Sequence, residues 1–493
     1  MTQIFEHFIN GQSVAPASGE WIDSVNPATG EVWAQFARGN VADVELAIDA
    51  SFAASQIPEW KLNNANRSMI LHAVADQLDK EYEQLVAVEV NDNGKRIREV
   101  RGQMAGLGGW YRHFATALDN FKPEALALDQ PGVTAQLELI PYGVVAAITA
   151  WNSPLMIAAW KVAPALAGGN AVIIKPSEMA SASSVVFAKL VAPVIPRGLI
   201  NVVTGYGHEA GAALVAGEAV RKITFTGSEI GGGKVAATAA KYVKPVTLEL
   251  GGKSPQIVFG DANIENTVNG VMSGIFLSNG QSCVAGSRLI IHQSIRDQFL
   301  HTLQQRLASL RFGDPMKMET DIGPIANKPQ FDKILEMLAR AKDAGATVLT
   351  GGHPVPTTNL EDGVKAGYFI APTILENVAT DAEIWREEVF GPVLCVNSFE
   401  STEQAVLMAN DSDYGLAAGV WSSNIEFANT IASQIDAGTV YINHYRSVSA
   451  GAPVGGVKKS GYGRELGPDA IKDFMQEKAI WLGTTPLANP FPD

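Results

Sequence analysis

The sequence is short of cysteine, histidine and positive charge, and each shortage removes a class of protein. Two cysteines, Cys283 and Cys395, in 493 residues exclude a disulfide framework and a cysteine-rich zinc site. Eight histidines are scattered without His-x-x-x-His or other ligand spacing, so no metal centre is expected. Against 51 acidic residues stand 37 basic ones, a formal charge of −14, and such a surface argues against a nucleic-acid partner. Long lipid-spanning runs are missing too. The longest apolar region, 143–174, is broken by Asn152, Pro154, Lys161, Pro164 and Gly168-Gly-Asn170, so no membrane segment is expected. The first residues lack a basic start followed by an apolar core, and the expected compartment is the cytoplasm.

What is present suits a globular α/β protein: 46% hydrophobic residues, with 47 glycines and 25 prolines spread along the chain. The length asks for two or three domains. From Val144 to Val258 short β-branched runs alternate with glycine-punctuated helical stretches, which predicts βαβ units and a mainly parallel sheet. In the first unit an apolar strand from Gly143 leads to Pro154, suited to a first helical turn. Leu155 to Leu166 is the crossover and Asn170-Ala-Val-Ile-Ile the next strand. Two more units are Ile200-Asn-Val-Val with a helix after Gly205 and Gly207, and Lys222-Ile-Thr-Phe with a helix after Gly227-Ser228. Beyond Gly251 a second α/β region begins, and Ile295, Phe299, Leu303 and Leu307 predict a helix over Ser294 to Leu310 with those residues in the core. The segment Ala450 to Gly467 reads as loops. The apolar tail after Lys478 reads as a strand whose edge would join another subunit's sheet.

Three segments hold residues suited to acyl chemistry, which needs a nucleophile, a base and an oxyanion donor together. Cys283 lies in the polar, glycine-flanked loop Asn279-Gly-Gln-Ser-Cys-Val-Ala-Gly-Ser-Arg288, where a reactive thiol is easily exposed. Cys395, inside an apolar strand, reads as a small hydrophobe. Glu249 ends the apolar run Val246-Thr-Leu-Glu-Leu, where partial desolvation would raise its pKa toward general-base work; the plainer reading is an ion pair with a lysine such as Lys253. Asn152, in Trp151-Asn-Ser-Pro154, is placed to donate its amide to an oxyanion or simply to cap a helix. The run Gly231-Gly-Gly-Lys-Val fails as a P-loop, and Gly280-Gln-Ser-Cys-Val lacks the final glycine of a serine-hydrolase elbow.

Taken in order, Pro141-Tyr-Gly-Val-Val, Trp151-Asn-Ser-Pro, Lys175-Pro-Ser-Glu, Phe225-Thr-Gly-Ser, Leu248-Glu-Leu-Gly-Gly-Lys-Ser-Pro, Gly280-Gln-Ser-Cys, Glu387-Glu-Val-Phe-Gly-Pro and Ser460-Gly-Tyr-Gly-Arg-Glu make the chain resemble the aldehyde dehydrogenase superfamily over nearly its whole length. The resemblance implies NAD(P)-dependent oxidation of an aldehyde to an acid through a thiohemiacetal and a thioester on Cys283. Asn152 and the Cys283 backbone N–H would hold the oxyanion, Glu249 would activate water, and Lys161 and Glu465 would relay protons. For the dinucleotide it implies Ile148, Thr149, Trp151, Lys175, Ser177, Glu178, Gly207, Gly211, Phe225, Thr226, Gly227, Ser228, Gly232, Leu250, Gly251, Glu388 and Phe390. A carboxylate at Glu178 suits a free 2′-hydroxyl and repels a 2′-phosphate, so NAD is expected to be preferred, with some use of NADP.

The substrate pocket implied by family position comprises Ser153, Met156, Ile157, Trp160, Ser282, Val284, His444 and Val454, with Tyr111 and Phe114 nearby. Ser153 and Val454 stand where many relatives carry phenylalanine, so the expected substrate is a medium or bulky apolar or aromatic aldehyde. A CoA-acylating relative and an inactive binding protein on the same fold are the alternatives; retention of Glu249 argues against the first and the intact Cys283, Glu249 and Asn152 against the second. The implied architecture is α/β: a Rossmann-like dinucleotide-binding domain (1–121 and 142–251), a second α/β catalytic domain (252–471) and a small β bridging or oligomerisation element (122–141 and 472–493). A hairpin of that kind cannot bury its apolar face alone, so a homodimer or homotetramer is expected.

Overall fold

A computed structural model describes residues 2–122, 124–487 and 490–491. Pro123, Ala488, Asn489, Pro492 and Asp493, which fall in the expected oligomerisation element, lie outside the described residues. The strands Val144–Ile148 and Ala171–Lys175 are buried at every position, as continuous apolar runs in a doubly covered parallel sheet must be. They sit in a sheet ordered Gly461–Tyr462, Val246–Glu249, Val220–Thr226, Val144–Ile148, Ala171–Lys175, Ile200–Val202, His7–Ile9, Gln12–Val14. The pairings from Val246–Glu249 to Ile200–Val202 are parallel, and the outer ones antiparallel. From Val144–Ile148 the chain moves outward to Ile200–Val202, then returns to Val220–Thr226 on the other side. The order therefore reverses between Val144–Ile148 and Val220–Thr226, and a crevice opens at their carboxyl ends.

The crossover helix Pro154–Ala167 starts at its proline and is buried along nearly its whole length. The helix Glu229–Lys241 is capped by Ser228, whose side chain accepts from the Gly231 N–H at 3.1 Å. Its glycines let it sit close to the sheet, since a Cβ on Gly232 would stand 2.6 Å from Leu250 and one on Gly227 2.6 Å from the Phe225 ring.

A second sheet runs Thr347–Thr350, Thr373–Glu376, Val393–Phe399, Arg288–His292, Pro255–Val258, Ala417–Trp421, Thr439–Ile442, all parallel except the first pair. The helix expected over Ser294 to Leu310 is Arg296–Ala308 after a short 3-10 turn, with Phe299, Leu303 and Leu307 buried. In a third sheet Met475–Gly483 pairs antiparallel along its whole length with Val133–Pro141, which also pairs with Glu124–Leu126. One expectation is corrected. The segment 450–467 is not all loop, because Val457–Lys458 pairs with Tyr414–Gly415 and Gly461–Tyr462 pairs with Leu248 and Glu249. Two-residue strands carry no hydrophobic period to read, and this one depends on Gly461, at φ +119°, where a Cβ would stand 2.0 Å from the Leu248 carbonyl oxygen.

The two large sheets meet where Val246–Glu249 ends and Pro255–Val258 begins. Between them a Cβ on Gly252 would lie 2.5 Å from the Cys283 carbonyl oxygen, and one on Gly280, at φ +67°, would lie 2.0 Å from that of Gly391. Gly280→Ala is therefore expected to cost about 2 kcal/mol or more and to lower Tm in a thermal melt; an unchanged Tm would show that this backbone contact gives way freely.

Candidate active site

The crevice at the carboxyl ends of the first sheet is a cleft of about 420 Å³. Of the residues expected to hold a dinucleotide, Ile148, Thr149, Trp151, Lys175, Ser177, Glu178, Gly207, Phe225, Thr226, Gly227, Ser228, Leu250, Gly251, Glu388 and Phe390 line it, together with Asn152 and Cys283. Two expected residues do not. A Cβ on Gly211 would meet the Lys175 stem at 3.6 Å, and Gly232 packs on Leu250, so both shape the wall from behind. The motif reading missed Ala150, Met179, Gly231, Gln330 and Lys333, which also line the cleft. Gln330 donates to the carbonyls of Val389 and Phe390 at 2.8 and 3.0 Å, and Lys333 to that of Glu388 at 3.1 Å. They lie one turn apart on the helix Lys328–Asp343, far in sequence from any glycine-rich signal.

Glu388 hangs into the cleft and accepts from the Gly252 N–H at 2.9 Å. Burial pushes its pKa up to about 7, against the pull of that hydrogen bond and of Lys333 and Lys253. Phe390 holds φ +55° and meets the Trp151 ring edge-on at 5.1 Å. Lys175 is buried; its ammonium donates to the Pro176 carbonyl at 2.7 Å and lies 3.5 Å from the Glu178 carboxylate.

At the inner end of the cleft stands Cys283, half-buried. Burial, and then the nearby Glu388 and Glu249 carboxylates, push its pKa up to about 12. Cys395 is fully buried in the strand Val393–Phe399. Asn152 does not cap the crossover helix, where Ser153 holds the cap position; its amide donates to the Gln281 carbonyl at 3.0 Å, which ties it to the loop of Cys283.

Glu249 is 7% exposed, and its Oε1 has no hydrogen-bond partner among the described residues. Burial and then the Glu465 carboxylate raise its pKa well above the ordinary carboxylate value, while Lys161 and Arg464 oppose them. No pair with Lys253 forms. Instead Lys161 and Glu465, both buried, pair with each other, and Thr224 Oγ1 accepts from Lys161 at 3.0 Å and donates to Glu465 at 2.9 Å. Room for the Glu249 carboxylate is made by Gly455, where a Cβ would come within 2.8 Å of its Oε1.

Around the expected substrate pocket, Met156, Trp160 and Val454 belong to one apolar cluster with Trp110, Tyr111 and Phe114, and the Trp110 and Trp160 rings meet edge-on at 5.9 Å. Ile157, Ser153 and Ser282 are buried. Val454 pairs its backbone with Glu465, and Val284 accepts from the Tyr445 hydroxyl at 2.9 Å. His444 is exposed and bonded to Ser447.

The aldehyde dehydrogenase family model matches residues 14–480. The chain belongs to the aldehyde dehydrogenase family. Among its relatives, the (Z)-2-((N-methylformamido)methylene)-5-hydroxybutyrolactone dehydrogenase of Acinetobacter baylyi is 41% identical over 99% of both chains. The chloroplastic betaine aldehyde dehydrogenase of Beta vulgaris is 39% identical over 96% of this chain and 95% of its own. Among solved structures, betaine aldehyde dehydrogenase from Staphylococcus aureus in complex with NAD+ superposes with a TM-score of 0.95 at 35% identity, covering 99% of this chain and 96% of that one. Thus an aldehyde dehydrogenase fold holds a half-buried thiol whose pKa is pushed up. Because only the thiolate is nucleophilic, the rate of Cys283 alkylation by iodoacetamide in the free enzyme is expected to rise about tenfold per pH unit up to about pH 10; a plateau near pH 8 would contradict the raised pKa.

Proposed function

We propose that this aldehyde dehydrogenase converts an aldehyde to a carboxylic acid through a thioester on Cys283, with NAD as the preferred hydride acceptor and NADP accepted less well. The observation that carries the reading is that Asn152 and Cys283, from two separate loops, line one cleft, while Glu249 stands at the end of its strand where its charge acts on the thiol. Glu249, whose charge is felt at the thiol, takes the Cys283 proton as the sulfur attacks the carbonyl carbon. The oxyanion forms beside the Asn152 amide, which spends one N–H on Gln281 and has a second to give, and beside the Cys283 backbone N–H. Bound in the cleft, the nicotinamide cofactor supplies the hydride acceptor. Glu249 gives the Cys283 proton up to solvent; water then attacks the thioester carbon, Glu249 accepts the water's proton and returns it to the sulfur as the C–S bond breaks, so the thiol is restored and one proton leaves per turnover. A carboxylate with a raised pKa is well matched to that task near neutral pH.

The cleft suits a dinucleotide on its own chemistry. Free N–H groups at the start of the helix Glu229–Lys241 favour a pyrophosphate, and Glu388 offers a buried acceptor to a ribose hydroxyl. On the ribose at the other end, Glu178 would repel a 2′-phosphate, and Lys175 is already engaged by that carboxylate. The same reading divides the chain into the dinucleotide-binding, catalytic and oligomerisation parts expected above. Exposed Ile140, Trp481 and Leu482 on the third sheet support its use between subunits of a homodimer or homotetramer.

For the substrate we infer a medium-sized, uncharged aldehyde with an apolar or aromatic body. The pocket residues carry no carboxylate to pair with a cation, although relatives are named for betaine aldehyde and aminoaldehydes. The test is NADH formation with hexanal, benzaldehyde, acetaldehyde, betaine aldehyde and 4-aminobutanal, with and without CoA. Hexanal or benzaldehyde should exceed the others in kcat/KM by about tenfold, without CoA, and with NAD above NADP. Preference for the cationic aldehydes would overturn the substrate class, and turnover only with CoA would overturn the hydrolytic step.

A further inference from the structure

The walls of the cleft come from different parts of the fold. Gly227, Ser228 and Gly231 belong to the turn that opens the helix Glu229–Lys241 beside the first sheet, whereas Glu388 and Phe390 lie in the loop between the helix Glu383–Arg386 and the strand Val393–Phe399 of the second. One side chain ties these walls together from behind. The Tyr414 hydroxyl donates to Glu229 Oε2 at 3.2 Å and to Glu387 Oε2 at 3.3 Å. Glu229 follows the helix cap Ser228, and Glu387 directly precedes Glu388. Tyr414 itself stands between the helix Thr402–Asn410 and the strand Ala417–Trp421 of the second sheet, so its bond to Glu229 crosses from one sheet's surroundings to the other's. None of the three residues is in the lining of the cleft among the described residues. The bridge therefore acts on a bound dinucleotide only through its neighbours.

The Tyr414 backbone is firmly held. Tyr414–Gly415 pairs antiparallel with Val457–Lys458, the Tyr414 N–H donates to Ser412 Oγ at 3.2 Å, and the Gly415 N–H donates to Ser460 Oγ at 3.0 Å. The residue is buried. At its hydroxyl the arrangement is looser. One proton faces two carboxylates, and both distances exceed the roughly 2.7 Å usual for an O–H···O bond. Either carboxylate can therefore let go while the donor keeps a partner, so the bridge opens without leaving a buried polar group unpaired. Burial, and then Glu387, Glu229 and Glu388, push the phenol pKa up, which keeps the group a donor. On the exposed side Lys459 stands 3.8 Å from Glu229 and 2.8 Å from Asp413, a counter-charge for the carboxylate on the helix. The Glu229 charge is felt at Glu388 as well.

Resting on the dinucleotide reading of the cleft, we propose that Tyr414 is a positioning residue whose hydroxyl latches the turn that takes the pyrophosphate to the loop that takes the nicotinamide ribose, and that opening of this latch sets the rate of NADH release. While the hydroxyl serves both carboxylates, the helix start and Glu388 are held at one separation and grip the dinucleotide at two places. When it leaves one of them, turn and loop move independently and the reduced cofactor departs. Release of product through such small motions limits turnover in many enzymes. Tyr414 touches neither the thiol nor the aldehyde, so the chemical steps at Cys283 do not depend on it.

The test is the NADH dissociation rate, read by stopped-flow fluorescence on displacement with excess NAD, in Tyr414→Phe, which keeps the ring, in Glu229→Ala and in the double variant. Hydrogen exchange of the ligand-free proteins is measured beside it. Dissociation is expected to quicken by about tenfold in Tyr414→Phe, and the double variant to be no faster than the quicker single one, because both remove the same bond. Exchange should rise in 227–233 and 386–391 and stay unchanged elsewhere, while NADH formation in the first turnover of Tyr414→Phe remains within about twofold of wild type. Unchanged or slower dissociation in Tyr414→Phe would overturn the latch. Additive effects in the double variant would overturn the shared bond, and faster exchange along the whole chain with a lower Tm would overturn the proposal by leaving Tyr414 a structural role alone. Failure of the wild type to bind NADH would instead overturn the parent reading.

Discussion

The site depends on one close backbone approach, that of Gly252 to the carbonyl of Cys283. Any side chain at that position would occupy the space of the Cys283 carbonyl oxygen, so the strand bearing Glu249 can run on toward the second sheet only through glycine. The same short segment gives its Gly252 N–H to Glu388. One stretch of backbone therefore sets Glu249, the Cys283 loop and the acidic wall of the cleft relative to one another. Its position in turn follows from the sheets, because Val246–Glu249 and Pro255–Val258 are strands of different sheets joined by five residues.

Backbone strain gathers around that contact. Ser278 and Asn279 ahead of Cys283, Phe390 in the cleft, Asn443 and Arg446 farther along the chain, and Leu466 after Glu465 all hold positive φ. Each such residue is costly and persists only where its surroundings over-determine it. Here they do: Asn279 donates to the carbonyls of Gly323 and Pro324 at 2.6 and 2.8 Å, and Arg446 to those of Ser273 and Leu277 at 3.2 and 3.0 Å. Glu99 accepts from the Ser278 N–H at 3.1 Å; burial raises the pKa of this carboxyl, but Arg446 and Arg96 overcome that and hold it below the ordinary value. The loop ahead of Cys283 is thus tied by hydrogen bonds to three other segments of the chain.

Much of this was legible in the sequence. The continuous apolar runs at Val144 and Ala171 announced a parallel sheet, and the glycines and Ser228 announced the helix start at the crevice. Glu249 at the end of an apolar strand announced a desolvated carboxylate. The rest depended on contacts distant along the chain. Nothing local to Gln330 and Lys333 reveals that they hold Glu388 and Phe390, and the two-residue strand at Gly461 has no period. Cys283 looked reactive because its loop is polar. The fold also sets it under the charge of two carboxylates 34 residues before and 105 after it in sequence (283 − 249 and 388 − 283), and no local pattern encodes that field.

The central claim is a covalent acyl group on Cys283 released by Glu249. The most direct measurement is intact-protein and peptide mass spectrometry of Glu249→Gln after mixing with cofactor and aldehyde. The account predicts that one acyl group forms on Cys283, more slowly than in the wild type because Glu249 also takes the thiol proton, and then persists far longer, while Cys395 stays unmodified. A variant that forms no adduct at Cys283, or releases it as fast as wild type, would contradict it.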